Sequence, residues 1–463
     1  MAPPRCARRT SATARGVPLL HEGVRRFSLG AALAVAFASA PGCSKTPTGT
    51  LTLTTGGEGD ALTRAPAPTT LAVDLVDAQG KVTSLGVVSL PATTVSLPDQ
   101  STSAIGIVRV TGADAAGATR VFGESLPVEF SGLAGGSVTI FIQRTGELAR
   151  LPGALPDGRE APLLGLVAGR YVLVAGGSDS GQAKTTALYD LLSWATLPSP
   201  PTLPRAPRSL AAFVTRVLAI DDQGASAFDL TDSSASEVTA PGGGSFAEVA
   251  GGATIYPPDG SAYVVGATRT AGMPTARVLK IDATGAFSFL ALGSPRLGAT
   301  AAWVPGRGLY VGGGNATAPG AEMIAAGATA SVALPFPSDA SVGAGSVALD
   351  ASHVLVAGGV RSDGSDAGTR LFDLGCATAC MPQAWPAPLA SPLPGASVFV
   401  LPGAAALVVG DDAAGLTHVV RLDAKSATEI SLKAGRKHAR GILLPTGQIA
   451  VAGGAAVIEG FAP

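Results

Sequence analysis

Short apolar runs closed by glycine recur along the chain. Residues 170–181 read RYVLVAGGSDSG, a strand-like run that ends in two glycines and a polar loop. Nearly the same phrase returns as HVLVAGGVRSDG at 353–364 and as QIAVAGG at 448–454. Upstream the pattern changes. The segments TLTLTT (50–55), TTLAVDLVDA (69–78), AIGIVRVTGAD (104–114), TRVFGESLPVEF (119–130) and SVTIFIQR (137–144) alternate apolar and polar positions with the period of strands. Turns rich in Gly, Asp and Pro separate them, and no segment carries a helical period of normal length. About seven strands in a hundred residues predict a small β-sandwich over 50–145.

Beyond Arg144 the apolar runs acquire a period. Their anchor positions are Gly176, Ile220, Gly266, Gly313, Gly358, Gly410 and Gly453, separated by 44, 46, 47, 45, 52 and 43 residues. Seven copies at this spacing match a four-stranded blade. Ahead of an anchor run comes another strand, as in APLLGLV, GATAAWV, GAGSVAL and ARGILLP. After the glycines a polar loop leads to a third strand that often closes on Asp, at Asp190, Asp229, Asp282, Asp373 and Asp423. A fourth strand follows, as in SWATLP and AFSFLAL.

This pattern resembles the kelch-type, galactose-oxidase-like β-propeller, whose repeat carries a double glycine at the end of its second strand and a Trp in its fourth. Gly176 with Gly177, Gly313 with Gly314, Gly358 with Gly359 and Gly453 with Gly454 match the double glycine, and Trp194 and Trp385 match the aromatic. A side chain at such a glycine would block the approach of neighbouring backbones where the strand leaves the blade. The second copy, RVLAIDD at 216–222, departs from the pattern with no glycine pair, and the third and sixth keep one glycine. The resemblance implies an all-β chain, with a seven-bladed kelch-like propeller over 146–463 behind the small sandwich. The seventh copy contributes three recognisable strands before Pro463, and ELARLP at 147–152 has the character of a fourth. Such closure would tie both ends of the ring and cover an exposed edge.

Composition adds a processing step to this picture. The 463 residues are 46% hydrophobic, which excludes a disordered chain, and the 61 Gly and 35 Pro fit many tight turns between short strands. Arg25 and Arg26 precede SLGAALAVAFASA at 28–40, an apolar run too short to span a bilayer, and SAPGCSK follows. This stretch resembles a bacterial lipoprotein signal peptide, with residues 1–42 removed, Cys43 acylated and 43–49 as a lipid-anchored tether. It departs from the usual lipobox at Ala40, where Leu is common, and the length before Arg25 points to a later start, at Val17 or Val24. The alternative is ordinary cleavage after Ala38 or Ala40, giving a secreted or periplasmic protein. RRFSL faintly resembles a twin-arginine export signal. Ser44 and Lys45 lack the Asp that marks inner-membrane retention, so the expected address is the outer membrane of the cell envelope. Without residues 1–42 the formal charge falls from −1 to −6. A mildly acidic chain whose one dense basic stretch is GRKHARG (435–441) is a poor partner for nucleic acid.

Candidate chemistry is sparse. His353, His418 and His438 have no second ligand at metal-binding spacing, so no metal and no cofactor is expected and a structural or solvated role is assigned to each. Cys376 and Cys380 flank ATA in the insertion behind the 52-residue interval. Export favours a loop-bracing disulfide there; zinc would need more ligands, and a redox pair the closer C-x-x-C spacing. The acidic loops at 176–182, 358–368 and 410–415 lack the ligand order of a calcium loop and read as exposed turns. The copper chemistry of galactose oxidase, built on Tyr, His and a Tyr–Cys link, has no visible seat among Tyr171, Tyr189, Tyr256, Tyr263 and Tyr310. No catalytic residue is assigned. The leading expectation is a non-catalytic binding platform for a glycan or protein partner at the envelope. The alternatives are a polysaccharide-acting enzyme, which needs two convergent carboxylates, and a structural subunit of an envelope complex, which needs a large apolar face.

Overall fold

Apolar residues at consecutive rather than alternating positions belong in strands covered on both faces. The runs at the anchors are such strands. Val354, Leu355, Val356 and Ala357 are each at most 1% exposed, and Ile449–Ala452 is buried throughout. In the computed structural model, which describes residues 49–97, 103–133, 136–177, 183–198, 202–266 and 273–463, each run is the second strand of a four-stranded antiparallel sheet. The leader at 1–42, Cys43 and the tether up to residue 48 lie outside the described residues.

Among the described residues, seven such sheets follow one another. Their first strands touch in cyclic order, from Leu163–Val167 to Ser209–Phe213 and onward to Arg440–Leu443, which returns to Leu163–Val167. The hydrophobic core is divided in the same way, each cluster being shared by two consecutive sheets. Leu173 and Leu188 of the first sheet pack with Val217 and Phe228 of the second, and Val409 of the sixth packs with Val451 of the seventh. The last cluster joins Ala450 and Ala452 of the seventh sheet to Val172 and Tyr189 of the first. A ring of radial sheets packed face to face is a β-propeller. Its seventh sheet is completed by Leu148–Arg150, which pairs antiparallel with Glu459–Phe461, so the segment 147–152 supplies the fourth strand.

Ahead of the ring, Gly49–Thr54 lies between Thr94–Leu97 and Ser137–Phe141, parallel to the latter. A six-stranded sheet orders Val82–Ser89, Thr70–Asp77, Ile105–Ala113, Thr119–Glu124 and Gln143–Arg144, with Val128–Glu129 paired to Ile105–Ala113 off that path. Leu51, Leu97 and Ile140 from one sheet and Leu71, Val110 and Val121 from the other share one core. The segment 119–130 is two strands rather than one, broken around Leu126 and Pro127.

This module and the ring form one compact unit, Thr46–Pro463. Phe141 packs on Trp194 with centroids 5.4 Å apart, Trp194 Nε1 donates to the Thr139 carbonyl at 3.2 Å, and Gln143 Nε2 donates to the Gly460 carbonyl at 2.9 Å.

Candidate functional site

In an antiparallel sheet the first strand begins at the end where the second stops. The anchor glycines, the loops behind them and the segments entering the first strands therefore share one end of the ring. Buried charge is concentrated there. Arg159, Arg296 and Arg436 each stand 17 residues ahead of an anchor, and Nη1 of each donates to the carbonyl of that glycine: 3.3 Å to Gly176, 2.8 Å to Gly313 and 3.0 Å to Gly453.

A buried guanidinium needs a paired carboxylate with its remaining lone pairs satisfied. In the fourth and seventh sheets the third strand supplies it. Glu322 lies opposite Val311 and Glu459 opposite Val451, two residues before the anchor in each case. Glu322 meets Arg296 at 2.8 Å, and Glu459 meets Arg436 at 2.9 Å. The other lone pairs accept backbone N–H groups from the incoming segment, Gly293 at 2.7 Å for Glu322 and Lys433 at 2.8 Å for Glu459. Glu322 also accepts the Ser331 hydroxyl. Burial pulls Arg436 below the usual arginine range, with Glu459 acting in the opposite direction.

The first sheet solves the same problem differently. Opposite Val174, in the register of Glu322 and Glu459, stands Ala187. The carboxylate comes instead from Asp157, two residues before the arginine, whose two oxygens meet Arg159 Nε and Nη2 at 2.8 Å each. Pro156 occupies the position of Gly293 and Lys433 and has no N–H to satisfy. Beside them opens a cavity of about 460 Å³, lined by Ala154, Pro156, Asp157, Arg159, Thr185, Thr186, Thr196, Leu197 and Pro198. Hydrogen bonding from Arg159 holds the Asp157 carboxyl below its ordinary range, so it is ionised. The fifth sheet reverses the charges. Arg370 stands opposite Val356 and is met by Asp339 at 2.7 Å and by the Ser341 hydroxyl at 3.0 Å.

The residues singled out from sequence are dispersed. A Cβ at Gly313 would lie 2.8 Å from the Ser341 carbonyl oxygen and one at Gly314 2.5 Å from that of Leu297, the close backbone approach expected of the pair. Gly358, Gly359, Gly453 and Gly454 meet equally near neighbours, whereas the nearest atom to Gly176 is at 3.5 Å. Trp194 and Trp385 flank rather than occupy the fourth strands, Ala195–Thr196 and Gln383–Ala384, because those strands are only two residues long. Trp385 Nε1 donates to the Asp423 carbonyl at 3.0 Å, across to the next sheet. Cys376 and Cys380 form a disulfide with Cα atoms 5.9 Å apart.

Each of the three histidines among the described residues is held by neighbouring carboxylates: His353 by Asp350, His438 by Asp411, and His418 by Asp412 and Glu429. Burial alone would lower His418; the Glu429 and Asp412 carboxylates outweigh it and raise its pKa. Among the described residues no three His, Cys, Asp or Glu side chains are grouped to hold a metal. The aspartates that close third strands cap their own turns, with Oδ1 accepting the N–H two residues on at Leu192, Thr231, Thr284, Gly375 and Lys425. Asp363 and Asp412 in the acidic loops do the same. Sequence reasoning missed the buried arginines and their partners; the only linear signal is their constant distance of 17 residues from the anchors.

No family model and no curated protein matches the chain. Among solved structures it is similar to a chain of the mitotic checkpoint complex, at TM-score 0.46 and 12% identity over 69% of this chain and 91% of that one. It is also similar to the computationally designed Ika8 protein, at 0.41 and 10% over 68% and 100%. A third is the extracellular domain of a hybrid two-component system from B. thetaiotaomicron, at 0.40 and 12% over 68% and 41%. The fold assignment rests on the strand pairing, not on these likenesses.

Proposed function

We propose that the chain is an exported cell-envelope protein, anchored in the outer membrane by acylated Cys43, whose seven-bladed kelch-like propeller is a non-catalytic binding platform. The two sheets ahead of the ring form a β-sandwich that spaces the platform from the tether. The partner is an envelope glycan or protein. One observation carries the reading: among the described residues, buried ion pairs hold the anchor end of the fourth and seventh sheets, and His418 and Asp363 at that end are committed to partners beside them. Side chains held in this way present a fixed surface.

The test uses residues 46–463 with isolated envelope polysaccharides and peptidoglycan, measuring saturable binding and newly released sugar ends in the same mixtures. Binding without release is expected. Release of sugar ends would replace the platform with an enzyme, and absence of both would remove the glycan partner.

A further inference from the structure

The first sheet differs from the fourth and seventh at one register position, and a space opens beside its arginine. Glu322 and Glu459 fill the corner between the third strand and the incoming segment, and both are fully buried. The first sheet has Ala187 at that register position, and a cavity of about 460 Å³ opens beside Asp157 and Arg159, within the range of small-ligand sites, about 300–1,000 Å³.

Its chemistry narrows the ligand. Arg159 forms the floor but is nine-tenths buried, and its donors are committed to Asp157, Gly176 and Thr185. Among the described residues lining it, the cavity therefore presents no free cation to hold an anion. A carboxylate offers about four lone-pair sites and only accepts. Arg159 takes three from behind, through its backbone N–H, Nε and Nη2. Asp157 keeps 31% of its side chain exposed, so an accepting edge faces the space. The ligand must donate. Pro156, Leu197 and Pro198 add an apolar wall beside this charged acceptor. An ammonium group would find a carboxylate already neutralised by Arg159 and gain little, whereas a ring with hydroxyls on its rim and C–H groups on its face uses both surfaces.

We infer that this corner of the first sheet binds a neutral pyranose, free or at a glycan end, through hydroxyl donation to Asp157. The inference rests on the platform reading and names the place and chemistry of its glycan contact.

The test is saturation-transfer NMR on residues 46–463, the compact unit, with methyl pyranosides of glucose, galactose, mannose and N-acetylglucosamine as probes. Thr196→Trp fills the cavity from its rim without touching Arg159, and Asp157→Asn keeps the shape while removing the charged acceptor. Val332→Lys, on an exposed fourth strand of another sheet, is the control. Cooperative thermal melting establishes that each variant is folded. The expected result is saturable binding of at least one pyranoside, weakened at least about tenfold in both cavity variants and unchanged in the control. If the protein binds envelope polysaccharide but no pyranoside, or if the folded cavity variants bind like the parent, the inference falls and the platform stands. If neither polysaccharide nor pyranoside binds, the glycan platform falls with it.

Discussion

The first and fourth sheets hold the same arginine by carboxylates from opposite directions. Arg296 is met across the sheet by Glu322, whereas Arg159 is met along its own loop by Asp157. What the two share is the guanidinium that satisfies the carbonyl of the anchor glycine. The neutralising charge is free to come from elsewhere, and when it moves to the loop the strand needs only Ala187. A repeat can keep its backbone fixed in this way and still move the charge from strand to loop. The fifth sheet, with Arg370 on the strand and Asp339 on the loop, shows that even the sign can be exchanged.

Removing the carboxylate is the largest perturbation available. Glu322→Ala leaves Arg296 buried and unpaired, and urea unfolding is expected to show a loss of about 3–5 kcal/mol. Asp157→Ala leaves Arg159 beside a cavity that water can enter, so the expected loss is smaller, about 1–3 kcal/mol. Equal losses would break the distinction between a closed and an open corner.

The anchor glycines sharpen it further. Gly176 and Gly313 both have φ in the left-handed region, at 65° and 71°. Gly176→Ala has room for its methyl group and should cost about 1–2 kcal/mol in backbone strain alone. Gly313→Ala adds the clash with the Ser341 carbonyl and should cost about 1 kcal/mol more.

The smallest effect belongs to an ion pair at the surface. His418 is raised by Glu429 and Asp412, so its contribution is complete below the ordinary value of 6.5 and is lost as pH rises through the raised value. His418→Gln should therefore destabilise more at acidic than at alkaline pH, by less than about 1 kcal/mol, readable as a pH-dependent difference in melting temperature. A larger loss at alkaline pH would contradict the pairing.

These contrasts mark what a linear reading can reach. Residues 172–175 and 354–357 are legible as strands because burial on both faces leaves an unbroken apolar run. Val82–Ser89 has no such signal, since nearly all its positions are exposed and nothing forces an alternation. Leu148–Arg150 is legible as the missing fourth strand of the seventh sheet because its partner, Glu459–Phe461, visibly lacks one. The repeated aspartates are visible as a pattern, but that they cap turns depends on geometry. The ion pairs are the least legible. Arg296 and Glu322 are 26 residues apart and Arg436 and Glu459 are 23 apart, distances fixed by loop length rather than by any local period. That Ala187 stands where the fourth sheet has Glu322 is legible only once strand register is known.

A crystal structure of the double variant Ala187→Glu with Asp157→Ser tests that equivalence most directly. The expected result is an introduced carboxylate on Arg159 Nε and Nη2, as Glu322 sits on Arg296. A carboxylate turned away from Arg159 would contradict it.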